Sequence, residues 1–416
     1  MAPPVTSRLD IVVDVAAATA VQTMLSLACL TPPAIAPKLA ESIGTKAALV
    51  GVLISIVYGG AMCTSLLVAT WIRRFGAGRL SQLSLVLCAG GCLTMAAGWL
   101  PALGLGALFL GFGYGLTNPS AAHLITKARI TRYRNLIFSI KQTGVPLGGT
   151  LAGLTMPSIA VAFGWQWSLI AAAAAASALC LLLQPKRAVW DDDRDPRARL
   201  HENPFSGLGR IWRHPTLRWL SLACFCFSGV QLCLTTFLVV MLVQDVGLPF
   251  LHAGVVLSAV QIAGIVGRVT WGIVADRVGD GLAVLMGLAL VIALAAFGVG
   301  VMTPGWPLVV TWILLLAFGV TAIGWNGVYL AEVAHIAGPQ HAGRATGASL
   351  FFIFGGVLLG PSGFVVAYRA IGSYTGSYIL AGLAALLGLA FVALARHHRH
   401  HDQEPDRLRP AAGPTG

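Results

Sequence analysis

The chain has 416 residues, 57% of them hydrophobic and only 10% charged, with a mean hydropathy of +0.81. Soluble domains carry roughly 25% charged residues, so a soluble enzyme is excluded, and so large an apolar fraction excludes a disordered chain. Eight cysteines in this length are too sparse for a disulfide scaffold, and the net charge of +12 has meaning only once the charges are placed.

A helix that crosses a bilayer needs about 20 mostly apolar residues, and runs of that kind recur along the chain. They predict spans over about 9–32, 46–71, 80–100, 102–125, 135–160 and 165–184. Pro3, Pro4, Asp10 and Asp14 interrupt the beginning, which therefore does not read as a cleavable signal peptide. A polar stretch over 185–216 follows, with Lys186, Arg187, Asp191, Asp192, Asp193, Arg194 and Asp195. That charge density cannot enter lipid and predicts a linker on one side of the membrane. Six more spans follow at about 217–243, 248–274, 282–303, 306–331, 345–368 and 374–395, and then a polar, His-rich tail over 396–416. The expectation is an all-α membrane protein of twelve transmembrane helices in two six-helix bundles, residues 1–184 and 217–395.

Of the 27 Lys and Arg, three (Lys38, Lys46 and Arg369) fall in loops on one face, and Lys141 and Arg268 fall inside spans. The remaining 22 share the other face, which the positive-inside rule makes cytoplasmic. Both termini and the linker are then expected inside, in a bacterial inner membrane. The basic charge reflects this topology and attraction to anionic lipid, and no nucleic-acid partner is called for.

The two halves echo each other. Gly51, Ser55 and Arg74-Phe75-Gly76 recur as Gly254, Ser258 and Arg277-Val278-Gly279, each offset by 203. Gly144-Val145-Pro146-Leu147-Gly148 recurs as Gly356-Val357-Leu358-Leu359-Gly360, offset by 212, and Asn118 and Asn326 occupy similar places. Two repeats of the same orientation can rock about a site at their interface, which gives alternating access.

The segment Gly272-Ile273-Val274-Ala275-Asp276-Arg277-Val278-Gly279 resembles the loop signature Gly-x-x-x-Asp-Arg-x-Gly of the major facilitator superfamily. The first-half copy, Ala69-Thr70-Trp71-Ile72-Arg73-Arg74-Phe75-Gly76, is degenerate: Ala69 replaces the glycine and Arg73 the acid. The resemblance implies a twelve-helix carrier with Gly272, Asp276, Arg277 and Gly279 at a gate. Gly267-Arg268 is similar to the eighth helix of monocarboxylate and oxalate–formate transporters, whose arginine binds the substrate carboxylate. Ser139-Ile140-Lys141-Gln142-Thr143-Gly144-Val145-Pro146 resembles bacterial organic-anion and cyanate-type carriers. Gly264 stands where the animal monocarboxylate carriers place an acid, so proton coupling by that acid does not carry over.

A cation in a spanning helix costs about 2.5–3.5 kcal/mol on insertion scales, so a retained one is a functional hypothesis. Lys141 and Arg268 each lie about six residues from the same membrane face, and helices five and eight of this superfamily face each other across the two halves. No acid in the sequence is placed to neutralise them at that depth. Two unneutralised cations repel, and an anionic substrate would relieve the repulsion. The alternative is that both side chains snorkel to the headgroups. Gln22, Tyr58, Asn118, Gln142, Gln231, Gln261 and Asn326 are mid-membrane polar residues that either line a substrate site or bond helix to helix. Trp325 and Tyr329 form either an aromatic cavity wall or core. Asp14 and Glu332 are candidate proton-coupling residues, each with the alternative of an interfacial charge.

No phosphate-cradling GxxxxGK[ST] loop occurs, so ATP-driven transport is not expected. The cysteines lack histidine company and read as small apolar residues. No cofactor and no resident metal are expected. The residues point to a monomeric, non-enzymatic secondary carrier of a small organic anion such as a monocarboxylate, by proton symport or anion exchange. The alternatives are an exporter of cationic compounds, which deep carboxylates would favour, and a membrane receptor or enzyme, which a buried His/Asp/Glu cluster would favour.

Overall fold

A computed structural model describes residues 8–127, 140–197, 206–337 and 342–407. Inside a bilayer every backbone N–H and C=O must be paired within the segment, which leaves the helix as the form for a single span. The first half contains α1 (Arg8–Ala34), α2 (Leu49–Phe75), α3 (Ala77–Ala96), α4 (Leu100–Lys127), α5 (Gly144–Phe163) and α6 (Trp165–Leu182). The second contains α7 (Pro215–Gln244), α8 (Phe250–Val278), α9 (Gly281–Gly300), α10 (Leu308–Ala322), α11 (Asn326–Ala337), α12 (Ala342–Ile371) and α13 (Tyr374–Arg407). Among the described residues eleven segments are long and apolar enough to cross a membrane, with α10 and α11 counted together, and the apolar stretch Leu49–Ser65 of α2 supplies the twelfth. Large apolar side chains such as Val86, Leu93, Leu154, Leu294 and Leu383 point outward, where hydrocarbon is their natural solvent. Gly76 and Gly164 make single-residue joints between α2 and α3 and between α5 and α6, at φ of 95° and 101°. Only glycine takes such angles without strain.

Two expectations are corrected. The tenth span, expected to be one helix over 306–331, is broken at 323–325 between α10 and α11. Side chains compete for its carbonyls there: Trp271 Nε1 donates to Val320 O at 2.8 Å and Arg268 Nε to Ile323 O at 3.2 Å. The helix of the twelfth span does not end at 395. It runs to Arg407 because Arg396 and Arg399 find carboxylates, as set out below. The first span continues past residue 32 to Ala34, and a short helix, Ala36–Ile43, follows it. The linker contains helical turns at Arg187–Trp190 and Ser206–Arg213. Residues 198–205 of the expected linker and 408–416 of the tail lie outside the described residues.

The two bundles meet along α5 and α8 and along α2 and α12, and the repeat places one serine in each interface. Ser55 Oγ donates to the Leu358 carbonyl at 2.8 Å, and Ser258 Oγ donates to the Thr150 carbonyl at 2.9 Å. The two acceptors are 208 residues apart, so the matched pentapeptides at 144–148 and 356–360 stand one helical turn out of structural register. Both clasps lie toward the end of the bundles opposite the termini. There Gly153 and Gly254 bring backbones into contact: a Cβ on Gly153 would lie 2.6 Å from the Gly254 carbonyl oxygen, and one on Gly254 would lie 2.5 Å from that of Gly153. At the end that carries the termini, the last turn of α8, from Asp276 to Val278, is exposed.

Charge networks close that terminal end of each bundle. In the first, Asp191 of the linker accepts from Gly78 N at 2.6 Å and Arg79 N at 3.2 Å, capping α3. In the second, Asp280 caps α9 through Ala283 N at 3.3 Å and pairs with Arg396 and Arg399, each at 2.9 Å. Partial burial opposes ionisation of Asp280, but the Ala283 N–H, Arg399 and Arg396 outweigh it and hold the carboxyl below its ordinary value of 3.8. A carboxylate depressed on folding adds stability above its unfolded pKa and loses it as pH falls through the folded value. Asp280→Asn is therefore expected to lower the melting temperature by a few degrees at pH 7. The gap to the native protein should narrow in thermal scans taken below pH 3.8.

Candidate functional site

The two cations come from opposite bundles and meet at one residue. Lys141 stands in the helical turn 140–142, which Thr143 separates from α5. Its side chain turns inward and is only 2% exposed. Its Nζ donates to Gln22 Oε1 of α1 at 2.9 Å, to Asn118 Oδ1 of α4, and more weakly to Gln142 Oε1 at 3.5 Å. Arg268 of α8 donates from Nη1 to the Gln142 carbonyl at 2.8 Å and from Nε to the Ile323 carbonyl at 3.2 Å. Every oxygen that these two side chains bond, among the described residues, belongs to a neutral amide or carbonyl. No carboxylate is among the partners of these two basic side chains in those bonds. In so dry a setting a charge is costly unless it is paired.

Gly267 explains how Arg268 reaches the break between α10 and α11. A Cβ there would lie 2.1 Å from the Val320 carbonyl oxygen, so only glycine lets α8 approach this closely. The sequence reading missed both this role and the acceptor at Ile323. The signal available was Gly267 directly before the arginine.

The other polar residues fall into groups. Gln22 is fully buried, and its Nε2 lies 3.4 Å from Ser26 Oγ. Gln231 Oε1 accepts from Trp325 Nε1 and Asn326 Nδ2, each at 3.1 Å. Asn326 is next to the break that holds Arg268. Gln261 is buried on α8 two helical turns from Arg268 and packs onto Gly149 of α5. Tyr58 is buried edge-on against Tyr114, with ring centroids 5.3 Å apart. Trp325 and Tyr329 are both 0% exposed, so they are core rather than an open wall.

The remaining candidates sit away from this centre, at the terminal end. Asp14 accepts from Trp190 Nε1 at 2.9 Å, with Lys186 Nζ at 3.8 Å. Glu332 accepts from Gly281 N and Arg399, each at 3.1 Å. Asp276 and Arg277 are exposed, Gly272 faces open space, and Gly279 caps α8 at φ 69°.

Comparison with known proteins places this arrangement in a family. Residues 16–361 match the family model described as Major Facilitator Superfamily. An MFS-type transporter of Mycobacterium tuberculosis is 27% identical over 325 residues, covering 75% of this chain and 69% of that protein. A hexuronate transporter of Bacillus subtilis is 24% identical over 324 residues, 74% of this chain and 75% of its own. Among solved structures the fold is similar to the E. coli fucose:proton symporter, with TM-score 0.63 and 15% identity over 93% of this chain and 99% of that one. It is also similar to a peptide transporter solved with sulfate, with TM-score 0.71 and 16% identity over 92% and 94%. With two six-helix halves, helix pairs clasped across them and a family match over most of its length, the chain belongs to the major facilitator superfamily of membrane transporters.

Proposed function

We propose that the protein is a secondary active carrier of a small organic anion, a monocarboxylate in the simplest case, held between Lys141 and Arg268. One observation carries this reading: the two cations, one from each bundle, converge on Gln142 with only neutral oxygens as partners among the described residues. Arg grips a carboxylate with two parallel hydrogen bonds, while Lys supplies a point charge. A carboxylate bound to both would neutralise the pair and link the rocking halves. Gln22, Asn118, Gln142, Gln261, Gln231, Asn326 and Tyr58 line or support the site. The similarity to a hexuronate transporter supports an organic anion. Residues 272–279 form the gate at the terminal end, which the distribution of Lys and Arg makes cytoplasmic. With the bundles clasped at the opposite end, the site is reached from the cytoplasm of a bacterial inner membrane when the Arg268–Gln142 contact parts. The carrier works as a monomer, and Asp14 and Glu332 are the carboxylates available for a proton in symport. Anion exchange needs neither.

Counterflow in liposomes tests this. Purified protein preloaded with unlabelled lactate or glucuronate is expected to accumulate the same labelled anion. Transport of cationic dyes without either anion would overturn the reading. Accumulation driven by a pH gradient alone assigns symport, and dependence on a counter-anion assigns exchange.

A further inference from the structure

Proline has no N–H, so it leaves the carbonyl four residues before it without its helical partner. Pro146 stands four residues after Gln142, while the next rung is intact, with Leu147 N donating to the Thr143 carbonyl at 3.0 Å. A carbonyl left unpaired at membrane depth is costly, and a neighbouring donor must satisfy it. The donor that arrives is Arg268 Nη1, at 2.8 Å, from the other bundle.

This bond is one rung of a ladder. α5 and α8 run antiparallel in one register: Gly153 meets Gly254 and Ser258, Thr150 accepts from Ser258, Gly149 meets Gln261, and Gln142 accepts from Arg268. The Arg268 rung is the last of these toward the terminal end, and a charged side chain makes it. The other interface is built differently. Ser65 stands at the repeat position of Arg268, and its Oγ donates within its own helix to the Met62 carbonyl at 2.9 Å. In the register set by the acceptors Thr150 and Leu358, offset by 208, Phe354 of α12 stands at the repeat position of Pro146.

We propose that Pro146 is a positioning residue of the anion site: by freeing the Gln142 carbonyl, it gives Arg268 a resting acceptor on the opposite bundle that the substrate carboxylate displaces. The inference rests on the anion reading above. A carboxylate is a stronger acceptor than a neutral carbonyl, so the exchange runs toward binding. Binding is nonetheless weakened by the bond it breaks, and release is helped when Arg268 returns to Gln142. The empty carrier keeps its guanidinium paired without an acid that would repel the substrate.

Pro146→Ala restores an N–H that closes the helical rung to Gln142, so Arg268 loses its competing acceptor. In liposome uptake with lactate and glucuronate as probes, KM is expected to fall about tenfold, which is about 1.4 kcal/mol, and Vmax is expected to fall with it because release slows. A proline that only shapes the helix would lower Vmax or raise KM, never lower KM. Pro146→Gly also restores the N–H and gives the same readout if the alanine variant does not fold. An unchanged or raised KM in a folded variant, with uptake by Arg268→Gln reduced at least tenfold, overturns the role of Pro146 and leaves the anion site standing. Full uptake by Arg268→Gln overturns the anion reading itself.

Discussion

Arg268→Gln and Lys141→Gln are each expected to reduce carboxylate uptake by about 10- to 150-fold, the equivalent of about 1.5–3 kcal/mol for one charge-assisted hydrogen bond. Both variants should still elute as folded protein in detergent, since a glutamine keeps donors for part of each cage. Arg268→Lys should rescue little. A single ammonium cannot span the Gln142 and Ile323 carbonyls, 3.2 Å or less from two different guanidinium nitrogens, nor can it present a planar fork to a carboxylate. Lys141→Arg forces a larger head among Gln22, Asn118 and Gln142, and it should also be impaired. Initial rates of labelled lactate and glucuronate uptake at matched protein density provide the check. Wild-type rates in both glutamine variants would remove the anion assignment while leaving the carrier fold untouched.

The sequence made the two cations legible because an uncompensated charge in a run such as Gly264–Val274 has few bland explanations. It also placed the spans, since twelve apolar runs separated by polar breaks have few other uses. The acceptors were not legible. The Gln142 carbonyl depends on a proline four residues later and the Ile323 carbonyl on a break within an unbroken apolar run, and hydropathy registers neither. Gln22 and Asn118 were read as polar residues at mid-depth. Only the crossing of α1 and α4 beside the turn 140–142 brings them to the same ammonium. The end of α13 was not legible for a related reason: composition marks Arg396 and Arg399 as polar, but their partners Asp280 and Glu332 lie more than sixty residues away in the chain. The helix that follows the loop motif is capped differently in the two halves. The second half caps its helix with its own Asp280, while the first half has Ala77 at the repeat position and takes Asp191 from the linker.

Gly153→Ala is expected to cut transport about tenfold or more, and Gly51→Ala less than about threefold, although both glycines sit in a bundle interface. The difference lies in what the added methyl meets. At Gly153 it lands 2.4 Å from Ser258 Oγ and, beside that side chain, 2.6 Å from the Gly254 carbonyl oxygen and 3.0 Å from the Ser258 nitrogen, two backbone atoms of the facing helix. At Gly51 the nearest atoms are the ends of two side chains, Phe237 Cζ at 2.4 Å and Val365 Cγ2 at 2.7 Å, and the one backbone atom, the Pro361 carbonyl oxygen, is farther off at 3.1 Å. Overpacking costs about 1–3 kcal/mol when the surroundings cannot yield. Here the cost falls only on the state whose bundles touch at the end opposite the termini. A penalty on one of two states moves their ratio by the same free energy, so the Gly153 variant should populate the form open at that end. Spin labels at Phe163→Cys and Leu251→Cys, near the opposite-end termini of α5 and α8, would report a longer distance for it than for the native chain, in a background lacking Cys63 and Cys180. Binding measured by thermal shift with lactate or glucuronate should stay within a few-fold, because the methyl lies about three helical turns from Lys141. An unchanged label distance together with unchanged transport would mean that this contact is not part of the working cycle.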